Sequence, residues 1–165
     1  KNALSLRGGY RTDSKKKCKL TMTSQPIRPF HLALPCKDLA KTQAFYCEIL
    51  GCSLGRTSEC WIDLNLYGHQ LVFHDCGGET LPEMLNPVDQ HAIPIPHFGI
   101  VVTPPSFDAL AARLNGKVDW ILEPSVRFEN TAGEQKTLFF RDPNNYALEF
   151  KSFADDRFLF EPFED

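Results

Sequence analysis

The sequence predicts an α+β fold in which two βαβββ modules form one cup-shaped mixed β-sheet. Two observations carry that expectation. The order strand, helix, three short strands occurs twice, over 27–76 and again over 97–153. The stretch between them, 77–96, holds two Gly and four Pro and breaks both periodicities, as a linker or lid loop does. One such unit cannot close a core alone, so the repeat matters. Two curved sheets side by side bury one face each and turn their other faces to a shared hollow.

In the first module, 28–35 (RPFHLALP) alternates and reads as a strand. Segment 38–50 places Leu39, Phe45, Ile49 and Leu50 at helical spacing, with Asp38 as N-cap and Gly51 as the C-terminal stop. Strands follow near 53–56, 59–66 and 69–74, the last two joined by a tight turn at Tyr67 and Gly68. In the second module, 97–103 is a strand and 106–115 a helix, capped by Ser106 and stopped by Gly116. Strands near 120–123, 136–141 and 146–153 complete the copy, with 124–135 as an insertion.

The flanks read differently. Residues 1–26 are basic and aperiodic, the pattern of a disordered tail or of a targeting presequence remnant. Residues 154–165 form an acidic, aromatic tail. Residues 1–19 carry seven basic residues and one acid, which leaves 11 basic and 20 acidic residues in the remainder. Such an acidic body repels phosphate, so nucleic acid is excluded as the natural partner. No apolar run approaches the roughly 20 residues that span a bilayer, which excludes a membrane partner of that kind. All six Cys lie in the first half and none forms a Cys-x-x-Cys pair. They read as reduced thiols, expected in the cytoplasm, or in an organelle lumen if the basic segment is a presequence remnant.

Four polar residues stand where strands should present core. His31 lies between Phe30 and Leu32, and His97 precedes Phe98, on the first strand of each copy. Gln70 interrupts QLVF and Glu149 interrupts ALEF, on the last strands. A buried carboxylate is costly unless it is paired or binds a cation. Repeat symmetry is expected to bring His31, Gln70, His97 and Glu149 together. Two imidazoles, a carboxylate and an amide oxygen suit one divalent metal ion: Fe2+, Ni2+, Co2+, Mn2+ or Zn2+. The competing reading makes each histidine a satisfied core residue, pairs Glu149 with an arginine and lets Gln70 bond to backbone.

The segments FHLALP, FYCEILG, GHQLVFHD, PHFGIVV and FFRDPNNYALEF, spread over about 28–153, resemble the vicinal oxygen chelate superfamily. That group includes glyoxalase I, methylmalonyl-CoA epimerase, fosfomycin-resistance thiol transferases, extradiol dioxygenases and bleomycin-binding proteins. The resemblance implies metal ligands at His31, Gln70, His97 and Glu149. The full set looks most like the epimerase pattern, while His31, His97 and Glu149 alone match the dioxygenase triad. Three departures stand out. Phe139 occupies the place of the tyrosine that extradiol enzymes carry ten residues before the last ligand. Pro96 replaces the first of a histidine pair, and Asn145 replaces the glycine of a DPxG turn.

The function expected is a divalent-metal-dependent, glyoxalase-like or epimerase-like lyase or isomerase acting on a small oxygen-chelating hydroxy-carbonyl substrate. An Fe(II) extradiol-type dioxygenase and a non-catalytic binding or resistance protein are the alternatives. Glu149 and His74 are the candidate proton-transfer groups; His74 shares a strand face with Gln70. Arg56, Glu59, Arg127 and Glu134 are candidates for the mouth of the cup, or solvated surface. Trp61 and Phe140 fit either a cavity wall or the core. Exposed sheet edges make a second copy of the chain a candidate partner.

Overall fold

The computed structural model describes residues 26–88, 91–131 and 133–160. The readings made on 1–25 and 161–165 lie outside them. The two βαβββ modules are present. Module one runs β1 (His31–Cys36), α1 (Leu39–Ala44), β2 (Ser53–Thr57), β3 (Trp61–Leu66) and β4 (His69–Asp75). A hairpin, β5 (Met84–Val88) and β6 (His91–Ile95), intervenes. Module two runs β7 (His97–Val101), α2 (Pro104–Leu114), β8 (Asp119–Arg127), β9 (Gln135–Arg141) and β10 (Ala147–Phe153).

The strand orders are β1-β4-β3-β2 and β7-β10-β9-β8, the same permutation in each module. In both, the first strand is parallel to the last and the remaining neighbours are antiparallel, which makes each sheet mixed. The helix supplies the crossover that a parallel pair requires.

Local chemistry fixes the joints. Asp38, extended at φ −155°, accepts from the backbone N–H of Lys41 and opens α1. The helix widens into a π-type turn over Phe45–Leu50, and Gly51 ends it at φ 86°. The left-handed φ is what favours glycine there, and the Arg113 guanidinium lies where a Cβ would stand. Tyr67 and Gly68, at φ 51° and 93°, make the two-residue turn between β3 and β4, the left-handed pair such a hairpin needs. Asn145 adopts φ 73° in the turn before β10, taking the role of the missing glycine.

Three expectations need correction. The stretch 77–96 is not only a linker, since β5 and β6 pair within it. Pro87 and Pro94 mask the pattern, yet a two-stranded ribbon has two free edges where a missing N–H costs little. Helix α2 starts at Pro104, not Ser106; Pro104 and Pro105 preset the first turn, Thr103 is the cap position, and its Oγ1 lies 2.9 Å from Ser106 Oγ. Strand β8 runs on through Arg127 because it is an edge strand whose register shifts absorb Pro124.

The helix-facing sides of both sheets and both helices share one core. Leu34, Leu64 and Phe73 enter it from module one, and Phe107, Leu138 and Leu148 from module two. Among elements of different modules, the strongest contact is helix on helix, between the π-type turn and α2. Phe45 packs on Phe140 with ring centroids 6.2 Å apart, and Tyr67 on Phe150 at 5.6 Å. The β9–β10 turn latches onto module one. Tyr46 Oη donates to Asp142, Asn144 Nδ2 donates to Thr42 Oγ1, Lys37 N donates to Asn144 Oδ1, and Tyr146 Oη donates to the carbonyl of Pro35.

Candidate metal centre

Alternation along each strand decides which residues reach the face opposite the core. On β1 that face carries His31; on β4, Gln70 and His74; on β3, Trp61 and Asp63. On β7 it carries His97; on β10, Glu149 and Lys151; on β9, Thr137 and Phe139. Each module therefore builds half of the expected site on the side of its sheet that faces away from the shared core.

In module one, His31 Nδ1 lies 2.8 Å from Gln70 Oε1. Gln70 Nε2 donates to Asp63 Oδ2 at 3.1 Å, and Arg56 Nε donates to the same oxygen at 2.9 Å. Asp63 is buried, Gln70 half-buried and His31 exposed.

In module two, His97 Nδ1 lies 2.6 Å from the carbonyl oxygen of Pro94. A carbonyl only accepts, so Nδ1 donates and Nε2 points on to Glu149 Oε2, 3.4 Å away. Thr137 Oγ1 donates to Glu149 Oε1 at 3.0 Å, and Lys151 Nζ lies 3.0 Å from Oε2. The hydrogen bond with Glu149 raises the His97 pKa against the opposing effect of burial. Burial pushes Glu149 upward, but His97 and Lys151 outweigh it and hold the carboxyl below its ordinary range.

The structure thus joins His31 to Gln70 and His97 to Glu149, but not the two pairs. Among the described residues, no group of three or more His, Cys, Asp or Glu is placed to hold a metal ion. The registers add a second finding. His31 stands opposite Gln70, whereas His97 stands opposite Ala147 and Glu149 opposite Gly99. The module-one counterpart of Glu149 is therefore Val72, and Gln70 corresponds to Ala147.

The donor chemistry fits a divalent ion. Each imidazole has a fixed acceptor at Nδ1, which leaves Nε2 as the coordinating nitrogen. The His97–Glu149 separation suits two ligands with bonds of about 2.1 Å to one ion.

His74 is exposed at the end of β4, opposite Trp61, whose ring carries Arg56 at 5.8 Å. Glu59 and Glu134 are exposed, Arg127 is buried beside the Phe128 ring, and Phe140 belongs to the core. Sequence reasoning missed Asp63 and Lys151. Asp63 gave the same signal as Glu149, an acid inside an apolar strand, WIDLNL. Lys151 lies two residues after Glu149 and so shares its face.

Residues 28–150 match the family described as the Glyoxalase/Bleomycin resistance protein/Dioxygenase superfamily. A solved glyoxalase/bleomycin resistance protein/dioxygenase from Alicyclobacillus acidocaldarius is 34% identical, with a TM-score of 0.65, over 84% of this chain and all of that one. The fosfomycin resistance protein FosX of Listeria monocytogenes shares the fold at 15% identity, with a TM-score of 0.57, over 82% of this chain and 99% of that one. Lactoylglutathione lyase from Agrobacterium tumefaciens does so at 17% identity, with a TM-score of 0.50, over 77% and 94%. No curated protein matches the chain. Its two βαβββ modules and the family match over most of its length make the chain a member of the glyoxalase/bleomycin resistance protein/dioxygenase superfamily.

Proposed function

We propose that this protein is a divalent-metal-dependent, glyoxalase-like lyase or isomerase that acts on a small hydroxy-carbonyl substrate chelating through two oxygens. The observation that carries the reading is the paired setting of the imidazoles. His31 and His97 each have Nδ1 against an acceptor, which leaves Nε2 as the coordinating nitrogen, and that of His97 faces Glu149. His31, His97 and Glu149 would hold the ion, with Gln70 the fourth donor the sequence offers. When bound, such an ion polarises the substrate carbonyl and acidifies the adjacent C–H.

The chain's own groups supply the rest. Glu149, kept ionised by its neighbours, is a base for the proton next to the carbonyl, and His74 is a second base on the module-one face. Phe139 packs edge-on to the His97 ring, centroids 5.2 Å apart, and limits water on that side.

Because the two halves face away from one core, one copy of the chain cannot complete the site. A homodimer that lays module one of one copy against module two of the other supplies His31 to His97 and Glu149. The five described cysteines are free, which suits a reducing compartment such as the cytoplasm.

A second reading, an Fe(II) extradiol-type dioxygenase, is favoured by one observation: both ends of the Gln70 amide are already engaged, which leaves a two-histidine, one-carboxylate set.

The test is elemental analysis of anaerobically purified protein, its mass in solution, and two assays. Nickel, cobalt, manganese or zinc bound to a dimer, with solvent-deuterium exchange into α-hydroxy ketones, is the expected result. Iron with oxygen uptake on catechols selects the second reading. A metal-free monomer that binds no divalent ion overturns both.

A further inference from the structure

We infer that Asp63 is a positioning residue for His31, acting through Gln70, and that Gln70 serves as a clamp and not as a metal ligand. The inference deepens the metal reading and rests on it for its catalytic consequence, but its central claim concerns a tautomer that exists without metal.

The reasoning starts from what each group can do. Asp63 is a carboxylate paired with Arg56, so it accepts. Only the amide nitrogen of Gln70 can face it favourably, and Nε2 does so at 3.1 Å. That choice turns Oε1 toward His31, whose Nδ1 lies 2.8 Å away. An amide oxygen only accepts, so the proton of the neutral imidazole must sit on Nδ1. The lone pair is then on Nε2. Flipping the amide would set its oxygen against the Asp63 carboxylate, losing that hydrogen bond, and would leave NH₂ facing Nδ1 only at that cost.

Three further observations agree. Asp63 is 6% exposed, and a carboxylate that deep inside a strand needs the two donors it has. Gly55 leaves room for it, since a Cβ there would sit 3.2 Å from the Asp63 Cβ. The register makes Val72, not Gln70, the counterpart of Glu149, so repeat symmetry does not require Gln70 to bind metal. Both histidines are then oriented by a neutral oxygen acceptor, Gln70 Oε1 for His31 and the Pro94 carbonyl for His97. Three ligands, not four, leave more of the ion's coordination sphere to the substrate.

The experiment uses the full chain and two variants, Asp63→Ala, which removes the acceptor of the Gln70 amide nitrogen, and Gln70→Met. Ring ¹⁵N NMR of metal-free protein in mildly alkaline buffer reads the His31 tautomer, and titration with Zn2+ or Co2+ reads affinity. The wild type is expected to carry the proton on Nδ1. Both variants should shift His31 toward the Nε2–H form and weaken ion binding by about 10- to 100-fold. The double variant should lose no more than either one.

A wild-type His31 protonated on Nε2 overturns the inference. So does a Gln70→Met loss that Asp63→Ala does not share, which would make Gln70 a ligand. If Asp63→Ala unfolds the chain, the wild-type tautomer together with an unchanged Co2+ absorption spectrum in Gln70→Met supports the inference, and a changed ligand number overturns it. The Nδ1–H tautomer in a protein that binds no ion would leave the inference standing and remove the metal reading.

Discussion

His31 in module one rests on a neutral amide, whereas His97 in module two faces a carboxylate with an ammonium beside it. The difference teaches what each half contributes. The amide oxygen accepts a hydrogen bond and brings no charge to the imidazole. The carboxylate raises the His97 pKa by its hydrogen bond, and Lys151 sets a positive charge 3.0 Å from the same carboxylate oxygen. Module two is therefore a paired, charged half-site, and module one a neutral, hydrogen-bonded one. Both stand on the reverse sides of sheets that share a single core.

The largest break in this comparison would come from that core. Phe140 is fully buried, stacks on Phe150 at 6.0 Å and touches Phe45 of module one. Phe140→Ala is expected to cost about 3–5 kcal/mol. Denaturant unfolding should show one transition, with amide exchange accelerated in both modules. Two separated transitions would mean that the half-sites stand on independent domains.

Next is the charged half. Glu149→Gln removes the carboxylate donor and should weaken divalent-ion binding by roughly 100-fold or more, beyond the loss from an outer contact. Calorimetric titration with Zn2+ measures it, and equal affinity in the variant would remove Glu149 from the ligand set.

The latch between modules comes third. Asn144 is buried and joins Thr42 and the Lys37 amide to the β9–β10 turn. Asn144→Ala leaves those groups unpaired, and a loss of about 1–3 kcal/mol in thermal unfolding is expected.

The smallest effect separates the half-sites by pH. The His97 pKa is raised, so its contribution to stability is complete below the ordinary imidazole value of 6.5 and fades as pH rises through the raised one. The Glu149 pKa is lowered, so its contribution is complete above the ordinary 4.5 and fades as pH falls through the lowered one. Metal-free wild type should therefore exceed Glu149→Gln in melting temperature most clearly between those two values. Ion affinity should climb with pH as His97 loses its proton. A melting-temperature difference that is flat with pH would break the ion pair assigned to module two.

Much of the fold was legible because it is written locally. Alternation placed His31 and His97 on first strands, Asp38 and Gly51 bounded the first helix, and Tyr67 with Gly68 marked the β3–β4 turn. The hairpin within 77–96 was hidden by its prolines, which depress strand signals even where free edges tolerate them. The site was legible as residue types. Its partners were not, because Asp63 reaches Gln70 only across a ladder and Lys151 reaches Glu149 only along a shared face.

The sequence by itself determined the two βαβββ modules, the family and the polar residues set into apolar strands, since these follow from period, turn chemistry and motif. Tertiary structure decided how those residues pair. A one-dimensional repeat suggests equivalence, but ladder register sets which side chains face each other, and it matched Gln70 to His31 while offsetting Glu149 from His97 by two residues. Only the packing of both helices into one core turned the half-sites apart, because burying the largest apolar area fixes which sheet faces remain for chemistry.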